Sequence, residues 1–118
     1  MREIVAVYGS LRQGEGSHHY LAEAEYLGLG WTQHHYVLYA AAYPAVVADE
    51  AAYPIRVGCY AVSQELLQQL DDYEDHPVLY CRREVPVVLD QGTLLQAWLY
   101  FYPQPEGRRL PTGDWKLR

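Results

Sequence analysis

The sequence predicts an α+β fold: a small mixed, mainly antiparallel β-barrel with two or more packed helices. Three observations carry this. Several short apolar or alternating segments are bounded by Gly and Pro; only two segments have helical spacing; and no regular strand–helix–strand alternation links them, which argues against a parallel doubly wound sheet. Five to seven strands and two helices in 118 residues form one domain spanning 1–118, with the sheet curling to hide its edges.

Taken in order, Ile4-Val5-Ala6-Val7 is a continuous apolar run and reads as a strand buried on both faces. It stops at Gly9, and a polar, glycine-rich segment runs to Ser17. Ser17 caps a predicted helix over 18–27, with Tyr20, Ala24 and Leu27 at i, i+4 and i+7. Tyr36 to Tyr39, Ala45 to Val47 and Ile55 to Val62 are further strands, punctuated by Tyr43-Pro44 and Tyr53-Pro54. Ser63 caps a second helix in which Leu66, Leu70 and Tyr73 share a face; Asp71-Asp72-Tyr73-Glu74-Asp75 closes it, and Pro77 forbids its continuation. Arg82 to Leu89 is a strand that Pro86 confines to an edge or a bulge. After the Gln91-Gly92 turn, Leu94 to Tyr102 alternates Ala97, Leu99 and Phe101 on one face with Trp98, Tyr100 and Tyr102 on the other. Residues 103–118, rich in Pro, Gly and Arg, are expected to lie over the surface.

Composition excludes several function classes. Half the residues are hydrophobic, so a core needs no disulfides or metals, and the formal net charge is −6. Phosphate binding needs a concentrated basic surface, whereas the basic clusters here are two pairs, Arg82-Arg83 and Arg108-Arg109, each expected to be solvated; no nucleic-acid partner is expected. The longest apolar stretch, 37–48, is broken by Pro44 and falls short of the roughly 20 residues a bilayer demands. Cys59 and Cys81 form no CxxC and read as reduced thiols. With no signal-like N-terminal run, the expected location is cytoplasmic.

A strand, a glycine turn and a helix in succession can make an anion site, because backbone N–H groups converge where no Cβ intervenes. Gly9 and Gly14 have phosphate-loop spacing, but Glu15 stands where that motif requires Lys. A smaller anion such as a carboxylate remains. His18-His19 and His34-His35 are set aside as metal ligands, because adjacent histidines diverge and no acid or cysteine completes a site; neither metal nor organic cofactor is expected.

Val7-Tyr8-Gly9-Ser10-Leu11-Arg12-Gln13-Gly14, followed by Ser17-His18-His19-Tyr20-Leu21, resembles the opening signature of the gamma-glutamylcyclotransferase-like family. Tyr43 to Val47, Gly58 to Val62, and Leu70-Asp71-Asp72-Tyr73-Glu74 with Pro77, Tyr80, Arg82 and the Val85–Val87 strand resemble its later landmarks, in the same order. The likeness is to the branch containing gamma-glutamylamine cyclotransferases and uncharacterised bacterial homologues. It implies a barrel with helices outside, and substrate binding by Tyr8, Gly9, Ser10 and Leu11, with Tyr80 as a pocket tyrosine. It also implies Glu74 as the catalytic acid/base that turns a γ-glutamyl amine or peptide into 5-oxoproline and a free amine. Asp71, Asp72 and Asp75 would raise the Glu74 pKa by like charge, and Tyr73 and Tyr80 by desolvation. The residue after the catalytic Glu is often Gly in the family and is Asp75 here, which bears on substrate preference. The alternative to an enzyme is a non-catalytic binding or sensor protein for a small amino-acid-like ligand. The amine leaving group and the oligomeric state are not legible.

Overall fold

The computed structural model describes residues 3–9, 21–22, 24–40, 44–48, 50–74, 76–104 and 107–117. Eight strands and one α-helix occur among them: β1 (Glu3–Val7), β2 (Glu25–Thr32), β3 (Val37–Ala40), β4 (Pro44–Val47), β5 (Arg56–Val62), α1 (Gln64–Tyr73), β6 (Cys81–Leu89), β7 (Leu94–Phe101) and β8 (Arg108–Arg109). Five strands close a barrel in the order β1-β5-β2-β6-β7, and β4-β3-β8 form a separate three-stranded sheet. All pairings are antiparallel except the closing one, where β1 meets β7 in parallel at Val5 and Trp98.

The alternation of β7 organises the core. Ala97, Leu99 and Phe101 point into the barrel with Val57, Cys59, Val85, Val87 and Leu89. Tyr100 and Tyr102 point outward, where they pack with Leu67 and Leu70 of α1 and with Val37 and Val47 of the second sheet. Both interiors combine aromatic rings with fully buried aliphatic side chains, Leu38, Val57 and Leu99 in one and Val5, Val37 and Leu70 in the other, each aliphatic chain contributing about 1.5–3 kcal/mol when removed from water.

Helix α1 begins where Ser63 accepts a hydrogen bond from the Leu66 amide (3.1 Å). Its buried stripe is Leu67, Leu70 and Asp71, one step round from the expected Leu66–Leu70–Tyr73 face, and Tyr73 is exposed. Helix propagation stops at Glu74, whose amide closes on Leu70 O at 2.9 Å.

Three expectations are corrected. Of the helix expected over 18–27, residues 18–20 and 23 lie outside the described residues, and Glu25 to Leu27 are strand, the start of β2. Strand β2 bulges between Tyr26 and Gly28, where Gly28 takes φ +133°. The segment after Pro103 is not wholly superficial: β8 pairs with β3, and Leu110 and Trp115 enter the barrel-side core. Pro86 sits inside the barrel wall, tolerated because its nitrogen faces the point where the β2 ladder ends: Gln33 N–H donates to Pro86 O (3.0 Å) just past the Thr32–Val87 pair. No described helix is long and apolar enough to cross a membrane.

Candidate active site

A cavity of about 260 Å³ opens between the end of β1, the start of β4, the end of α1 and β7. This is near the roughly 300 Å³ lower end of ligand pockets and suits a small ligand. Tyr8, Gly9, Glu74 and Tyr80, four of the six residues expected to form the site, all line it, together with Pro44, Tyr73, Leu79 and Tyr100. Ser10 and Leu11 lie outside the described residues, as does Asp75.

Tyr8 follows the last residue of β1, and its ring is carried across the cavity wall. Its hydroxyl donates to Tyr100 O (2.8 Å) and accepts from Val46 N–H (3.3 Å), so one phenol ties β1, β4 and β7 together. Burial, reinforced by the neighbouring Tyr80 and Glu74, raises its pKa well above the usual phenol value, against the opposing Val46 hydrogen bond; it remains a proton donor. Gly9 is required for space: a Cβ there would lie 2.2 Å from Pro44 Cγ. Tyr80 donates to Pro44 O (2.7 Å), which fixes the opposite wall.

Glu74 occupies the cap position of α1, at φ −87° and ψ 0°. Burial pushes its carboxyl up from 4.5 to about 7, and no described side chain supplies a compensating hydrogen bond or charge. Desolvation is therefore the cause, and the like-charge contribution expected from Asp71 and Asp72 is not seen; Asp75 lies outside the described residues.

Asp71 shows why. Although it lies in the last turn of α1, it is only 7% exposed. Arg82 Nε and Nη2 donate to its two oxygens at 2.8 and 3.2 Å, and the Tyr100 hydroxyl donates to Oδ1 at 2.6 Å. Burial alone would push this carboxyl up, but the Arg82 and Tyr100 hydrogen bonds and the Arg82 charge hold it below the usual carboxylate range. Arg82, expected to be solvated, also lies over the Trp98 ring at 4.3 Å. Sequence reasoning missed Asp71, Arg82 and Tyr100 as a unit; the signal is the cross-strand pairing of Arg82 with Tyr100, which needs the β6–β7 register.

Cys59 is buried and its thiol is pushed up to about 12 by desolvation, whereas Cys81 is exposed; both are unpaired thiols. Among the described residues no three His, Cys, Asp or Glu side chains gather as a metal ligand set, and His34 and His35 are exposed.

Fold and cavity define a barrel protein with a small-ligand pocket and, among the described residues, one titratable carboxyl on its wall. Comparison with known proteins narrows that class. The family model described as gamma-glutamyl cyclotransferase, AIG2-like, matches residues 5–117. A Methanocaldococcus jannaschii protein named "putative gamma-glutamylcyclotransferase" is 40% identical over 115 residues, 97% of this chain and 96% of its own. The crystal structure of an uncharacterised Pyrococcus horikoshii protein superimposes with a TM-score of 0.76 at 30% identity, covering 98% of this chain and 91% of that one. A mouse AIG2-like protein shares the fold with a TM-score of 0.81 at 24% identity, over 89% and 80% of the two chains. The chain belongs to this family of gamma-glutamylcyclotransferase-like enzymes.

Proposed function

We propose that the protein releases 5-oxoproline and an amine from a γ-glutamyl amine or peptide, with Glu74 as general acid/base and no cofactor. The observation that carries this reading is the Glu74 carboxyl: desolvated on a cavity wall, without a hydrogen-bond partner among the described residues, and titrating at about 7. Such a group is poised to take and return one proton near neutral pH. Family membership supplies the reaction class.

In this reaction the free α-amine of the γ-glutamyl group attacks its own γ-carbonyl carbon. A C–N bond forms and closes the five-membered ring, while the bond from that carbon to the departing amine breaks. Glu74 accepts the proton lost by the attacking nitrogen and delivers it to the leaving nitrogen, so it ends the cycle as it began. The step has one substrate, and holding the reactive conformer is the main task of the pocket. The loop beginning at Tyr8-Gly9 and continuing into Ser10 and Leu11 supplies backbone amides for the substrate carboxylate or the oxyanion. Tyr8 contributes ring and backbone, since its hydroxyl is already engaged. Tyr80, whose hydroxyl donates to Pro44 O, bounds the substrate on the opposite wall of the cavity.

Purified protein is incubated with a panel of γ-glutamyl amines and dipeptides, and 5-oxoproline is measured. Release by the wild type and its loss in Glu74→Gln, a neutral near-isostere, is the expected outcome. A panel yielding no 5-oxoproline while a ligand still raises the melting temperature would establish a binding protein instead.

A further inference from the structure

The last turn of α1 carries two carboxylates three residues apart, Asp71 and Glu74, and the structure gives them opposite surroundings. Asp71 is the acceptor in a closed unit of three elements. Arg82 on β6 reaches it through two donors, Tyr100 on β7 through its hydroxyl at 2.6 Å, and Arg82 and Tyr100 are direct cross-strand partners. Arg82 is itself fixed. Its guanidinium lies over Trp98, whose Nε1 donates to Glu3 Oε1 at 3.2 Å, and its backbone amide donates to His76 Nδ1 at 3.3 Å. Tyr100 is the shared piece, because its ring lines the cavity and its backbone oxygen accepts from Tyr8.

We propose that Arg82 is a positioning residue for the site, acting through Asp71: its two-point ion pair neutralises Asp71 and commits the Tyr100 hydroxyl to it, so that among the described residues Glu74 faces the cavity without a hydrogen-bond donor and without an uncompensated charge from Asp71. The catalytic part of this inference rests on the reading of Glu74 given above; the electrostatic part does not.

Among the described residues the groups around Glu74 are few. The phenols of Tyr8 after β1, Tyr80 before β6, Tyr100 on β7 and Tyr73 on α1 line the cavity with it. Behind Tyr100 stand Asp71, Arg82 and His76, with the His76 ring against Tyr100 at 6.4 Å. Removing either partner of the ion pair unbalances this set in a defined direction. Without Arg82, the Asp71 charge sits unneutralised one helical turn from Glu74 and opposes its ionisation. Without the Asp71 charge, the Arg82 cation is unneutralised and favours it. Removing both charges returns the balance to zero. A purely structural role would shift Glu74 in one direction for both single changes and further for the double.

The experiment is a carboxyl ¹³C NMR titration of the full chain, the Glu74 signal being assigned by its disappearance in Glu74→Gln. Arg82→Gln is expected to raise the Glu74 midpoint and Asp71→Asn to lower it, each by about one pH unit for a unit charge at this range. The double variant is expected to titrate close to wild type. The low-pH limb of kcat/KM for 5-oxoproline release is expected to move in parallel. Single variants that shift Glu74 in the same direction, or leave it unmoved, overturn the proposal. Should Arg82→Gln fail to fold, Asp71→Asn alone decides it: an unchanged or raised midpoint is the refuting result. If the midpoints move as stated but no variant, nor the wild type, releases 5-oxoproline, the positioning of Glu74 stands and the cyclotransferase reading falls.

Discussion

Replacing Glu74 by Gln should make the protein more stable, and only above a definite pH. The Glu74 carboxyl titrates at about 7 in the folded protein, against 4.5 for an unperturbed glutamate. The folded state thus prefers the protonated form. Below about pH 4.5 the group is protonated whether folded or not, and it contributes nothing. As pH rises through this window the unfolded chain ionises first, and above about 7 the folded protein holds a desolvated carboxylate. The gap corresponds to an upper bound of about 3 kcal/mol of stability lost between those limits. Because Glu74 keeps partial contact with solvent through the cavity mouth, about 2 kcal/mol is the expected value. Gln preserves shape and cannot ionise, so the variant avoids the loss. Urea unfolding of wild type and variant, each at pH 4 and pH 8.5, measures the difference directly, and comparison at equal pH cancels the other titrating groups. The expected result is near equality at pH 4 and a variant advantage of about 2 kcal/mol at pH 8.5, which is about 6–10 °C in melting temperature for a domain of this size. An advantage of the same size at both pH values, or a less stable variant at pH 8.5, would refute the assignment of the raised pKa to burial.

The same titration predicts that kcat/KM for 5-oxoproline release climbs with pH through about 7 as the base form of Glu74 accumulates; a flat profile from pH 5 to 8 in a pH–rate measurement counts against Glu74 as the base. Tyr8→Phe leaves the Val46 N–H and Tyr100 C=O without their buried partner and should cost about 1–3 kcal/mol by urea unfolding. In Gly9→Ala the new Cβ lies 2.2 Å from Pro44 Cγ, so β1 and β4 must part. A loss of about 1–3 kcal/mol with a raised KM is expected, and an unchanged KM would detach this loop from the substrate. Gly113→Ala drives a Cβ to 1.9 Å from Pro54 O and should destabilise by a similar amount, about 1–3 kcal/mol, with the pH–rate profile unmoved.

What the sequence makes legible depends on the physical range of the signal. Strand β7 is legible because its alternation is strong and local: Ala97, Leu99 and Phe101 do face one core and Tyr100 and Tyr102 the other. Helix α1 is legible through its Ser63 cap. Strand β2 is not, since Tyr20, Ala24 and Leu27 fit a helical period, and Gly28 and Gly30 remove the β-branched side chains that would mark a strand. Gly30 is there for a reason no local pattern carries: a Cβ would meet Val88 O at 2.6 Å. Leu110 and Trp115 are hidden by the polar, proline-rich composition around them, although Tyr53 holds this segment by donating to Leu110 O at 2.7 Å. In the candidate site, Tyr8, Gly9, Glu74 and Tyr80 were reached by resemblance to a family, and they share one cavity. The Asp71–Arg82–Tyr100 unit was not reached, because its members lie on three elements and meet only once the strand register is set.

That register links fold and chemistry more tightly than the site residues alone suggest. Because side chains alternate along a strand, a slip of β7 by one residue against β6 would exchange Tyr100 for Leu99 or Phe101 on the face that meets α1. Asp71 would lose its hydroxyl donor, the cavity would lose a wall, and the backbone acceptor for Tyr8 would move with them. The two lost hydrogen bonds each leave a buried polar group unsatisfied, costing about 1–3 kcal/mol apiece, beside the exposure of one aromatic face. The buried Asp71–Arg82 pair can therefore be only modestly favourable for stability in itself, as is usual once desolvation is counted, and still select one pairing of β6 and β7 over its neighbours. On that argument the pair that neutralises the charge next to Glu74 also specifies the strand alignment that builds the cavity Glu74 faces.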